Sequence, residues 1–321
     1  MLTHRLEAHT STERRVIPSR PRSIAVLKVL VVGATGNQGS AVVRHSLEAG
    51  LAVAGLVRDP AARAAKSLTE RGVELRQGDL DRPDTLASAF EGIDAVFSVQ
   101  NFWRTGHVRE VLQAKAVVEA ARAAGVEYFI QTTGGLPPGS GVPNVEVKSV
   151  IEALVREAFP GAFILRPVWF IDGLNLTSFN LEAGTLEFVT APDQPHAWVA
   201  IDDIGQMAAR AFAHFDSVAG LTLKFASRVN TGVEIAAAFN GVFGTSFRYH
   251  QFSEAEQEAK VLSLGLGPEF THELRATFNA IRNVNFAVDL PLHDRLLPDR
   301  HTVSSWTREF AYPLWREGLS G

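Results

Sequence analysis

The run Val29-Leu30-Val31-Val32 feeds directly into Gly33-Ala34-Thr35-Gly36-Asn37-Gln38-Gly39, and an amphipathic stretch, Ala41–Glu48, follows without a break. A strand that turns through glycines into a helix constrains the fold more than any other feature of this chain. Glycines there permit a tight turn and bring backbone N–H groups at a helix N-terminus close to a ligand, where the helix dipole favours negative charge. Three glycines alone are a weak signal. Their place at the end of the first strand of an alternating series makes the segment a nucleotide-binding loop rather than an ordinary turn.

The series continues as short β-branched runs separated by helical patterns. The runs are Val29–Val32, Ala52–Val57, Glu74–Gln77, Ala95–Val99, Tyr128–Thr132 and Phe163–Arg166, each apolar enough to be covered on both faces. Helices are clearest at Ala41–Glu48, Val108–Ala124 and Val145–Ala158, with Gly50, Gly125 and Gly161 as stops. After Phe170 the elements become mixed. Strands are predicted at Leu186–Thr190, Trp198–Ile201, Leu221–Ala226 and Phe247–Gln251, and helices at Ile204–Phe215, Val233–Phe243, Glu254–Leu264 and Glu269–Ile281. The pattern predicts an α/β fold: a doubly wound parallel-sheet Rossmann domain over 28–175 and a smaller mixed α/β C-terminal lobe over 176–321, with strand exchange between them allowed. Residues 1–27, arginine-rich and without an apolar period, read as a disordered tail.

Composition removes other classes of function. The chain has no cysteine, which excludes disulfide scaffolds, thiolate catalysis and sulfur-ligated zinc. Its 31 Lys+Arg against 35 Asp+Glu leave no electrostatic footprint for nucleic acid. No apolar run reaches membrane-spanning length, so the expectation is a soluble, cytoplasmic protein, monomeric or homodimeric. The histidines lack metal-helix spacing, His293, Asp294 and His301 included, and no metal is expected.

Candidate ligand contacts collect at the carboxyl ends of the predicted strands, where open α/β sheets bind ligands. The second strand ends Arg58-Asp59-Pro60, about 20 residues after the glycines, where an acid would bind the ribose diol of NAD. Arg58 stands at the tip instead, and a guanidinium pairs bidentately with a 2′-phosphate, favouring NADP(H) over NAD(H). Asp59 keeps the NAD reading open. Gly78-Asp79-Leu80 can serve adenine, the polar side chain at its amino group and Leu80 on the ring. Gln100, Asn101, Phe102 and Trp103 form the fourth edge, as ligand contacts or as polar loop and core anchor. Thr132 and Thr133 end the fifth strand, where they hydrogen-bond an acceptor carbonyl or satisfy strand-end backbone. Gly134–Gly141 is expected as a lid or simple loop beside the site.

Together with Lys148, Arg166-Pro167-Val168-Trp169-Phe170 and Asp202-Asp203-Ile204-Gly205, these residues resemble the NmrA-like family of atypical short-chain dehydrogenases, over most of Lys28 to Phe310. The resemblance implies an NADP(H)-binding Rossmann domain with a lobe closing over the nicotinamide. It implies either a reductase for a small hydrophobic acceptor or a sensor that binds the dinucleotide without turnover and contacts a regulatory protein partner. Trp169, Phe170 and Asp172 are then expected along the nicotinamide half, with Lys148 at the ribose. One departure matters. Short-chain dehydrogenases place a proton-donating tyrosine four residues before the lysine, and that position is Asn144; the three tyrosines are Tyr128, Tyr249 and Tyr312. Tyr128 falls in a predicted buried strand. Catalysis then rests on Lys148 as acid or base, or on an activated acceptor such as a quinone or conjugated carbonyl that needs little acid assistance.

Overall fold

The computed structural model describes residues 26–174, 179–180, 183–283, 287–311 and 313. The predicted tail therefore lies outside the described residues except for Val26 and Leu27, as does Tyr312. Six strands alternate with helices: β1 (Lys28–Val31), α1 (Asn37–Glu48), β2 (Ala52–Val57), α2 (Arg63–Glu70), β3 (Glu74–Gln77), β4 (Ala95–Ser98), α3 (Phe102–Ala123), β5 (Tyr128–Thr132), α4 (Pro143–Ala158) and β6 (Phe163–Pro167). They pair in the order β3-β2-β1-β4-β5-β6, all parallel. A seventh parallel strand, β11 (Thr222–Phe225), joins the far edge against β6.

Side-chain alternation explains why both faces are covered. Along the first strand Val29 and Val31 enter one core while Leu30 and Val32 enter the other, and all four are buried. The first core continues into the smaller lobe through Phe188, Trp198 and Phe225; the second is closed by α3 and α4 through Val117, Ile151 and Val155. Parallel strands covered on both sides read as continuous apolar runs, and that is how they were legible.

The remainder carries β7 (Trp169–Phe170), β8 (Phe179–Asn180), β9 (Thr185–Phe188), β10 (His196–Val199), α5 (Ile201–Ala213), β12 (Arg228–Asn230), α6 (Gly232–Phe243), β13 (Arg248–Gln251), α7 (Glu254–Ser263), α8 (Pro268–Asn283), α9 (Leu290–Leu296) and α10 (Val303–Trp306). Two three-stranded sheets form, β12-β10-β7 and β13-β9-β8. Helix α5 returns to the first domain and packs on α1 so closely that a Cβ at Gly205 would lie 2.5 Å from the Ala41 carbonyl carbon. Among the described residues no helix is long and apolar enough to cross a membrane.

Three local expectations shift. The helix predicted from Val108 begins at Phe102, because the Asn101 side chain accepts the Trp103 N–H and caps an extra turn before a break at Gly106 (φ 73°, ψ 167°). The strand predicted to reach Ile201 stops at Val199, and α5 starts at Ile201, where the Asp172 carboxylate accepts the first-turn N–H at 2.9 Å. Tyr128, expected inside a buried strand, opens β5 half-buried, its hydroxyl 2.6 Å from Glu127.

Candidate active site

The carboxyl ends of β1 and β4 face the crevice where the strand order reverses, and a cavity of about 700 Å³ opens there. Gly33 and Thr35, Arg58 and Asp59, Gly78, Asp79 and Leu80, and Gln100 and Asn101 all line it. The structure thus gathers nine of the eighteen expected cofactor contacts into one groove, with Gly36, Asn37, Gln38 and Gly39 outside its lining. Gly33 adopts φ +76°, left-handed backbone that suits glycine. Gly36 precedes α1 without a side-chain cap, and no acid lies in the helix's first turn, so the amides of Asn37, Gln38 and Gly39 have no acidic side chain of their own turn beside them. A Cβ at Gly39 would fall 2.0 Å from the Gly33 oxygen, which is why the helix can start this tightly behind the loop.

The groove's charges are unequally committed. Arg109 pairs with Asp81, and Gln113 joins at 2.9 Å; this hydrogen bonding holds the Asp81 carboxyl below the usual range. Arg58 and Arg104 also line the groove, and neither enters an ion pair among the described residues. Asp59 accepts the Ala61 N–H at 2.8 Å, fixing the turn behind Arg58. Asp79 accepts from the Asp81 N–H at 3.1 Å. Arg104 and Thr105 were not expected here: they enter through the extra turn of α3, which has no periodic signal.

Behind the groove a polar chain crosses the strand ends. Thr132 Oγ1 donates to Gln38 Oε1 at 2.9 Å, Gln131 Nε2 to Gln100 Oε1 at 3.1 Å, and Gln100 Nε2 to Ser98 Oγ at 2.9 Å. The loop residue Gln38 is therefore braced from the fifth strand. Thr133 faces another way: its hydroxyl donates to Glu152 at 2.7 Å, where Arg166 also binds, so the expected contact to an acceptor carbonyl is replaced by a tie to α4. Asp172, expected at the nicotinamide, is committed to Ile201 N–H and, at 3.4 Å, to the Trp306 indole; burial pushes its carboxyl up. Part of the expected lid, Gly135, is pinned instead, since a Cβ there would lie 2.9 Å from the Pro167 oxygen.

Lys148 was read on the edge of an amphipathic helix, and the structure buries it. Its Nζ meets Glu110 Oε1 at 2.5 Å, and the fully buried Glu110 also accepts the Phe102 N–H at 3.1 Å. Glu110 escaped sequence reading because its partner is 38 positions away on another helix. Helix α8 covers this region. Phe270 stacks on Trp103 with centroids 5.7 Å apart, Glu273 accepts the Asn144 N–H at 3.1 Å, and Phe278 lies 5.9 Å from Trp169. Trp169 and Phe170 are half-buried in β7, and of the four residues expected along the cofactor, Phe102, Lys148, Trp169 and Phe170, none lines the open groove; Phe102 and Trp169 pack against α8 through Phe270 and Phe278.

Away from the groove, Asp202, Asp203 and His301 bring possible ligand atoms within 4.8 Å of one another, a grouping that histidine spacing did not reveal. These atoms are already engaged: Asp202 with Arg44 and His45, Asp203 with Ser227 and, at 2.6 Å, with His301.

The sequence profile of the NmrA-like family matches residues 27–290. An NAD(P)H azoreductase of Xenophilus azovorans is 31% identical over 244 residues, covering 74% of this chain and 81% of that protein. Among solved structures, triphenylmethane reductase of Citrobacter sp. superposes with a TM-score of 0.77 at 23% identity, covering 89% of this chain and 99% of that one. NmrA, a negative transcriptional regulator in complex with NAD, gives 0.77 at 18% identity, with coverage of 92% and 98%. These two likenesses establish the fold.

Proposed function

Since this chain belongs to the NmrA-like family, we propose that it is a reductase that draws hydride from NADPH, in preference to NADH, and delivers it to a small aromatic acceptor such as a quinone, a conjugated carbonyl or an azo compound. The observation that carries the reading is the groove of about 700 Å³ that Gly33 and Thr35 of the glycine loop, immediately before the uncapped start of α1, line together with Arg58, a guanidinium in no ion pair among the described residues. Its shape and charge fit a dinucleotide. The amides at Asn37, Gln38 and Gly39 receive the pyrophosphate, Arg58 the 2′-phosphate, and Leu80 with Asp79 the adenine.

The bound dinucleotide supplies the hydride, and the chain supplies position and shielding. Lys148, its ammonium held on Glu110, supplies positive charge on the ribose side. Phe102, Trp103, Trp169 and Phe170 make the acceptor half aromatic and keep water out. The azoreductase of X. azovorans, at 31% identity, supports the acceptor class.

The second reading, a dinucleotide-responsive regulator that docks a protein partner, draws on Asn144 in place of a tyrosine. One experiment separates the two. NADPH emission is followed during titration with the protein, and a quinone or azo dye is then added. Emission that rises and then decays with acceptor supports the reductase. Emission that rises and persists across the acceptor panel overturns it in favour of the regulator.

A further inference from the structure

Helix α8 brings two carboxylates onto the start of α3. His107 follows the break at Gly106, and its ring lies on Phe102, centroids 5.1 Å apart and planes 14° from parallel. Its Nε2 is 3.2 Å from Glu273 and its Nδ1 3.3 Å from Glu269. The two acids differ in mobility: the Glu273 side chain is 1% exposed and also holds the Asn144 backbone N–H, whereas that of Glu269 is 57% exposed. Neither approach has the in-line geometry of a hydrogen bond, and Nε2 is buried with no hydrogen-bond partner among the described residues, so the ring is placed by its stack on Phe102 and by the charge of the two carboxylates, the more exposed of which is displaceable.

The neighbours leave that task open. Asn144 stands where a tyrosine would donate, and Lys148, four residues further along α4, aims its ammonium at Glu110. Resting on the reductase reading above, we propose that His107, stacked on Phe102 and held beside the Glu273 charge, is the proton donor of the acceptor site. An acceptor entering along Trp103 and Phe270 displaces Glu269 from Nδ1. The acceptor takes hydride, two electrons and one proton, from the reduced dinucleotide, and the Nδ1 proton goes to its other heteroatom. A quinone leaves as hydroquinone, an azo bond as hydrazo, the dinucleotide leaves oxidised, and water reprotonates His107. The charged groups around the ring are Glu269 and Glu273 from α8, His272 beside Glu273, and Glu110 with its Lys148 one turn along.

The test compares wild type with His107→Gln, Glu273→Gln and Glu269→Gln in three readouts. These are NADPH emission titration, kcat/KM for a quinone against pH, and the histidine Cε1 NMR signals during titration with hydroquinone in the presence of NADP+. H107Q is expected to hold the NADPH titration within about twofold, to lose about 100-fold in kcat/KM, and to lose one ionisation from the pH profile. The NMR signal missing from H107Q is expected to be the one that hydroquinone moves. E273Q shifts that ionisation with the NADPH titration unchanged, and E269Q, which weakens the contact the acceptor must displace, lowers KM for the quinone. The proposal is overturned by H107Q turning over at the wild-type rate with the wild-type pH profile, or by a His107 signal indifferent to hydroquinone. Should H107Q fail to fold, E273Q and the wild-type NMR titration decide. A wild type that reduces no acceptor overturns the reductase reading itself, an outcome distinct from an active H107Q.

Discussion

Replacing Gly39 by alanine tests the geometry of the loop most directly. The added methyl would lie 2.0 Å from the Gly33 oxygen, 2.5 Å from its carbon and 3.0 Å from the Ala34 Cα, all backbone atoms. No side chain can rotate away, so α1 and the loop must separate by about 1 Å, at a cost of about 2–3 kcal/mol for overpacking. For a chain of this size that corresponds to roughly 3–5 °C in Tm. Displacing the α1 amides by about 1 Å also weakens charge-assisted hydrogen bonds worth about 1.5–3 kcal/mol, roughly 10- to 100-fold in NADPH affinity. Gly36→Ala is the control: its methyl meets the same oxygen at 3.3 Å, a contact relieved by a few tenths of an ångström, and its Tm should stay within about 2 °C of wild type. Thermal melts without ligand and NADPH emission titrations of both variants supply the comparison. A G39A protein that melts and binds as wild type does would refute the close-approach argument.

Three further outcomes follow from the same structure. Arg58→Gln should weaken NADPH by about 10- to 100-fold through loss of a charge-assisted contact while leaving NADH nearly unchanged, read as the ratio of the two dissociation constants; equal losses would place the 2′-phosphate elsewhere. Lys148→Ala strands the buried Glu110 carboxylate and should cost about 3–5 kcal/mol in urea unfolding, whereas Lys148→Met combined with Glu110→Leu should recover most of it. Burial lowers the His196 imidazole to about 4, so between about pH 6.5 and 4 the unfolded chain binds a proton that the folded one does not. Stability is therefore lost as pH falls through that window, by roughly 3 kcal/mol, and His196→Phe should flatten the loss in unfolding measured at pH 7, 6, 5 and 4.5.

The groove was legible because its parts are local. Gly33 to Gly39, Arg58 and Asp79 each sit at the end of a strand whose apolar run announces it, and a doubly wound sheet collects strand ends in one place. The cluster under α8 was not legible for the opposite reason. His107, Glu110 and Glu273 gain their chemistry from partners on other helices, with Glu273 reaching across 129 positions to Asn144. An acid in a helical pattern reads as a solvated face until a neighbouring helix buries it. Thr133 and Asp172 show the converse error: each stood at a plausible edge, and each is spent on holding two elements together, Thr133 on α4 and Asp172 on the start of α5.

The return of α5 onto α1 at Gly205 and Ala41, with β11 completing the sheet beside β6, bears on how such a protein can be cut and recombined. A fragment ending near residue 175 would carry the whole phosphate-binding loop yet leave β6 as a bare edge and the outer face of α1 uncovered. It would not be a portable cofactor module. On the proposed function, acceptor specificity would therefore be exchanged by grafting surface segments such as α7 and α8, whereas swapping everything after the sixth strand would take the scaffold of the first half with it.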